Sequence, residues 1–191
     1  LTKAAEQGNM DAQLKLGKMY LEGQGVPQDD DVAVAWIRKS AEQDHEWALC
    51  QLGWMYLEGQ GVPQSDKEAA ACFLKAAKLG DFDATYQMGM MYLEGLGVPQ
   101  DDEQACYWIR VSAENGYCGA QALLGKMLEL GQVTRRNLDE ATEWLGMAAE
   151  WGDEDAQIRL DRLMRSGVLD PRTLDKIDLL NRDPVSRRIL H

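Results

Sequence analysis

The chain has 191 residues, 45% of them hydrophobic, and a formal charge of −12. No apolar run approaches the roughly 18 residues that a membrane-spanning helix needs, and no basic leader with an apolar stretch opens the chain, so neither membrane insertion nor a signal peptide is read. An acidic chain repels phosphate backbones and anionic lipid, which argues against nucleic acid as a partner.

Taken in order, Leu1 to Gln7 aligns with Phe73 to Leu79, so residues 1–7 are expected to be the last turns of a preceding repeat. From Gly8 a pattern with a step of 36 residues sets in: Gly8, Asp44, Gly80, Gly116 and Gly152 open successive copies, each followed four residues later by Ala12, Ala48, Ala84, Ala120 and Ala156. A period of this size means stacked supersecondary units. In the first copy Ala12, Leu16, Met19 and Tyr20 keep the three- and four-residue spacing of a helix with one buried face. This helix A is predicted from about Met10 to Glu22, closed by Gly23. Gly25, Gly61 and Gly97, each followed by Val-Pro, mark a fixed turn.

Helix B is predicted to start at Asp29, Ser65, Asp101 and Asn137, residues able to accept a hydrogen bond from a helix N-terminus. Glu68, Gln104 and Glu140 three residues on suggest capping boxes. The apolar stripe of helix B runs through Ala33, Trp36, Ile37 and Ala41. Trp108 and Trp144 repeat the tryptophan, so all three are expected in the core, as are Tyr20, Tyr56 and Tyr92 and the methionines at 19, 55, 91 and 127. Gly17, Gly53, Gly89 and Gly125 fall inside helix A, where glycine costs about 1 kcal/mol relative to alanine. Close approach of helix B is the expected compensation. Cys50, Cys72, Cys106 and Cys118 occupy four different repeat positions and read as free, packed thiols, a lean toward a reducing compartment.

Toward the C-terminus the pattern decays. Val133-Thr134-Arg135 replaces the Gly-Val-Pro turn, Asp161 takes the place of the packing glycine, and Arg159, Arg162, Arg165 and Arg172 make a polar helix. Leu174, Ile177 and Leu180 continue a short helix B. The expected organisation is therefore 8–152 as four full repeats and 153–191 as a degenerate capping repeat with a tail.

The strings LGKMYLEGQGVPQDD, LGWMYLEGQGVPQSD and MGMMYLEGLGVPQDD, with the small pairs Ala76-Ala77 and Ser112-Ala113, resemble the Sel1-like repeat family, relatives of the tetratricopeptide repeat, over roughly residues 1–170. That resemblance implies an all-α, right-handed superhelical solenoid of antiparallel helix pairs that serves as an adaptor in protein assemblies, frequently in bacteria. The cysteine-rich branch of the family pairs thiols across each turn between units, and this chain lacks that pair.

By analogy with tetratricopeptide arrays, a binding groove is expected on helix A positions that vary between repeats. These are Asp11, Leu14, Lys15 and Lys18, then Trp47, Cys50, Gln51 and Trp54, then Asp83, Tyr86, Gln87 and Met90, and lastly Gly119, Ala122, Leu123 and Lys126. Trp47 and Trp54, two turns apart and outside the repeated tryptophan column, stand out as anchors or as fillers between repeats. With Tyr86 and Met90 they outline an apolar pocket flanked by Lys18 and Lys126, and Lys15, Gln51 and Gln87 complete the expected partner-binding positions. No nucleophile with its base is evident, the Gly-x-Gly turns lack a phosphate-loop context, and His45 and Cys50 are poorly spaced for a metal, so no enzyme, cofactor or metal is expected. The leading expectation is an adaptor that holds a peptide or protein segment. The alternatives are a structural component self-associating through an uncovered N-terminal end, or an accessory domain of a larger enzyme or receptor.

Overall fold

The computed structural model describes residues 1–131 and 136–169. Within them lie ten α-helices and no β-strand: α1 (Thr2–Glu6), α2 (Met10–Glu22), α3 (Asp30–Ala41), α4 (Glu46–Glu58), α5 (Asp66–Lys78), α6 (Phe82–Glu94), α7 (Asp102–Glu114), α8 (Cys118–Leu130), α9 (Leu138–Glu150) and α10 (Glu154–Arg165). Helix A of each repeat is thus α2, α4, α6, α8 and α10, and helix B is α3, α5, α7 and α9. Val133, Thr134 and Arg135, together with Arg172, Leu174, Ile177 and Leu180, lie outside the described residues. Two compact units are present, Leu1–Trp108 and a second from Ile109 onward, the division falling within α7.

Helices α2, α4 and α8 pack on their B helices through the internal glycine. A methyl group placed on Gly53 would sit 2.8 Å from the Phe73 ring, which is itself wholly buried, and Gly17 and Gly125 meet Ile37 and Leu145 in the same way. Contact of ring against backbone therefore offsets the poor helix propensity of glycine. In the first unit the resulting core joins Leu14, Ile37, Leu49, Leu52, Met55, Phe73, Met88 and Met91. In the second, Leu145, Ala148, Ala156, Leu160 and Leu163 form a core of their own.

Two devices tie neighbouring repeats. Gly61, with φ 64°, stacks against the start of α3, so closely that an added methyl would fall 2.6 Å from the Asp30 carbonyl oxygen; Gly97 stands in the same relation to Asp66. The Gly-Val-Pro loop is therefore a spacer between repeats as well as a turn. The second device is helix α1, whose Ala5 carbonyl accepts the Gln13 amide at 3.0 Å, just as the Ala113 carbonyl of α7 accepts Gln121 at 3.3 Å on α8. Helix α1 thus stands to α2 as the end of a B helix stands to the next A helix.

Several expectations are corrected. Asp29, Ser65, Asp101 and Asn137 do cap their B helices, accepting from the backbone N–H three residues on. The reciprocal half of the capping box is absent, because the backbone N–H of each cap residue already donates to the preceding A helix, at Tyr20, Tyr56, Tyr92 and Leu128. The tryptophan column is half-buried rather than core, since the next residue, Ile37, Phe73, Ile109 or Leu145, occupies the fully buried place. Trp36 lies under the Lys39 ammonium, 4.2 Å from its ring centre, and the Trp144 indole N–H donates to Glu140. The tyrosines at 20, 56 and 92 are likewise half-buried, packed on the core. The methionines at 55, 91 and 127 are buried and Met19 is half-buried.

Candidate functional site

In the first unit, α2, α4 and α6 set equivalent positions side by side in four rows. Nearest the helix starts stand Asp11, Trp47 and Asp83; one turn on come Leu14, Cys50 and Tyr86; then Lys15, Gln51 and Gln87; and last Lys18, Trp54 and Met90. Leu14 and Cys50 are buried, so the second row is largely floor. Gln51, Trp54, Tyr86, Gln87, Met90 and Lys18 are half-buried, while Lys15 is exposed.

The two tryptophans separate. Trp54 meets the edge of Phe73 with ring centres 5.5 Å apart, and packs against the core. Its indole N–H also reaches the Cys50 sulfur. Trp47 is 60% exposed. Its one ring neighbour among the described residues is His45, with centres 5.9 Å apart and a tilt of 45°.

His45 adjoins these positions, although the sequence alone gives it no role there. It stands at the N-cap of α4, where Asn9, Asp81 and Asp153 of other repeats accept a backbone N–H, yet it makes no such bond. Its ring is buried instead, with Nε2 3.1 Å from the Asp11 carboxylate across on α2. Nδ1 is buried without a hydrogen-bond partner, 3.8 Å from the Glu46 carboxylate. The available signal was the column itself, in which the acceptors Asn9, Asp81 and Asp153 are interrupted by His45, and again by Tyr117 at the start of α8.

Carboxylates also approach from the other side. Burial pushes the Cys50 thiol far above its usual range, with the Asp81 charge and hydrogen bond and then the Asp83 charge adding to it. The charges at the start of α6 thus act on the turn of α4 that follows Trp47. Residues 1–108 carry eighteen Asp/Glu against eight Lys/Arg, so the whole face lies in a negative field. Lys15 and Lys18 form no ion pair among the described residues, and lie one and two turns beyond Asp11 along α2.

Lys126 belongs to the second unit, half-buried on α8. There the Arg159 hydrogen bond holds the Asp155 carboxyl below its ordinary value, with smaller contributions from the Arg159 and Lys126 charges. Arg159 also reaches Glu129 at 2.9 Å, tying α10 to α8. None of the four cysteines is joined in a disulfide among the described residues, and burial pushes Cys72 up to about 11. Among the described residues no three His, Cys, Asp or Glu side chains come together as a metal site, and no helix is long and apolar enough to cross a membrane.

Comparison with known proteins follows the same repeats. A model of the Sel1 repeat matches residues 11–45, 48–81, 82–117 and 119–153. Among solved structures the chain resembles c5321, a protective antigen of uropathogenic Escherichia coli, with TM-score 0.84 and 34% identity over 90% of this chain and 38% of that one. It also resembles a Sel1 repeat protein from Oxalobacter formigenes, with TM-score 0.76 and 33% identity over 87% of this chain and 69% of that one. The immunity protein Pa5087 from Pseudomonas aeruginosa is more distant, at TM-score 0.52 and 25% identity over 81% of this chain and 57% of that one. The chain thus spans well under half of the E. coli antigen. No curated protein matches it. With four repeat matches covering most of its length, and helices paired in the same register, this chain belongs to the Sel1 repeat family.

Proposed function

We propose that the chain is an adaptor that holds a peptide or protein segment on the A-helix face of residues 1–108. One observation carries this reading: Trp47 is 60% exposed at a position that holds Asp11 and Asp83 in the flanking repeats. A large aromatic ring left in water by the fold is the residue type that dominates association when a partner covers it. Trp54, Tyr86 and Met90 supply adjoining half-buried apolar surface, Gln51 and Gln87 supply hydrogen-bonding groups between them, and Lys15 and Lys18 stand at the margin. Membership of the Sel1 repeat family and likeness to an immunity protein fit a role exercised through binding.

The test uses short random peptides displayed on phage, selected on the whole chain and measured individually by calorimetry. Trp47→Ala is expected to weaken the selected peptides by about tenfold or more, because loss of a central aromatic anchor costs about 2 kcal/mol. Its circular dichroism and Tm are expected to match the parent, since the ring is mostly solvated. Selected peptides indifferent to Trp47→Ala, or no selection at all, would overturn the reading.

A further inference from the structure

We infer that this face selects a cationic segment, with a Lys or Arg side chain laid on the Trp47 indole among the carboxylates of Asp11, Glu46 and Asp83. The inference rests on the reading above and adds the chemistry of the partner. Aromatic exposure alone would suit any apolar side chain; what surrounds the ring decides. His45 touches both Trp47 and Asp11, so the Asp11 carboxylate, 78% exposed, is linked to the indole through one imidazole ring. The Glu46 carboxylate approaches the other ring nitrogen, 3.8 Å from His45 Nδ1. On α6, Asp83 is exposed and holds the repeat position that Trp47 holds on α4, one period of 36 residues on.

Within the same unit the alternative is visible. Trp36 already carries a cation of its own chain, the Lys39 ammonium at 4.2 Å, whereas no Lys or Arg of the described residues covers Trp47. An indole face with carboxylates at its margin attracts an ammonium or guanidinium by quadrupole and by charge together. His45 sharpens the preference. Its unpartnered Nδ1 is buried beside Trp47, and the Asp11 carboxylate accepts one bond from Nε2 while keeping lone pairs for an incoming donor. An anionic segment would instead bring a carboxylate against three others in a unit with ten more acidic than basic groups.

The peptides selected from a random display library are the probe. They are expected to be enriched in Lys and Arg over Asp and Glu relative to the unselected library. Asp11→Asn/Asp83→Asn should weaken them about tenfold, while Asp31→Asn/Glu103→Gln, which removes the same charge from the B helices, should change affinity by less than about threefold. Raising NaCl from about 0.1 M to about 1 M, which shortens the Debye length from about 10 Å to about 3 Å, should weaken binding severalfold. Selected peptides without basic enrichment that still lose affinity on Trp47→Ala would overturn the cationic preference and leave the binding face standing. Equal losses in the two double variants would also overturn it, by reducing the effect to overall charge. Peptides indifferent to Trp47→Ala would overturn both. Unchanged circular dichroism of each variant separates loss of binding from loss of fold.

Discussion

At Gly53 the Phe73 ring occupies the space a side chain would need. Two effects compete on substitution: leucine gains somewhat less than about 1 kcal/mol of helix propensity over glycine, and overpacking costs about 1–3 kcal/mol, more for a large side chain. Packing wins here because Phe73 is fully buried and held on all sides. Gly53→Leu is therefore expected to destabilise the chain by about 3 kcal/mol or more, read as a fall in Tm by calorimetry; an unchanged Tm would refute the close contact. A subtler pair is Ser40 and Ser112, equivalent positions on α3 and α7. The Ser40 hydroxyl donates to the Met10 carbonyl at 2.9 Å, whereas the buried Ser112 hydroxyl has no partner. Ser40→Ala should cost about 1 kcal/mol and Ser112→Ala should be neutral or stabilising, because an unmade buried hydrogen bond is itself a cost. Equal effects in urea unfolding would contradict this account.

At the scale of elements, helix starts were legible and their second partners were not. Asn, Asp and Ser announce an N-cap whatever lies around them, since the acceptor serves the first turn of its own helix. Where the cap residue's own N–H goes depends on how the A–B loop folds back, and it goes to the carbonyls of Tyr20, Tyr56, Tyr92 and Leu128. Ser65→Ala should thus cost about 1 kcal/mol and Glu68→Ala no more than about 0.5 kcal/mol. The candidate site was legible to a similar degree. Column breaks pointed to Trp47 and Trp54 together, but only the position of Phe73 shows that Trp54 leans on the core while Trp47 does not. His45 was hidden because its partner, Asp11, lies a full repeat earlier. In α10 the arginines read as a polar cap include Arg159, whose guanidinium joins Glu129 of α8 and holds Asp155 low. With a folded value below the unfolded 3.8, the Asp155 contribution is present above that pH and fades as pH falls through the folded value. Arg159→Met should bring the Asp155 pKa back up in an NMR titration.

For the whole molecule, repetition makes stability local. Each helix pair leans on its neighbours, so damage is expected to spread one repeat at a time. In Gly53→Leu, amide exchange should quicken in α3 to α6 and stay at its parent rate in α9 and α10. Charge is partitioned too: residues 1–108 carry −10 of the total −12, the same residues that hold the exposed Trp47. Shape, field and aromatic surface thus coincide on the A helices of that unit. The most direct measurement is NMR mapping of a selected peptide on the intact chain, following the Trp47 and Trp54 indole N–H signals with the backbone amides. The account predicts that the Trp47 indole and the amides of α4 and of the start of α6 shift first and furthest, with α3 and α5 little changed. Shifts confined to the B helices or the Gly-Val-Pro loops, with the Trp47 indole unmoved, would contradict it.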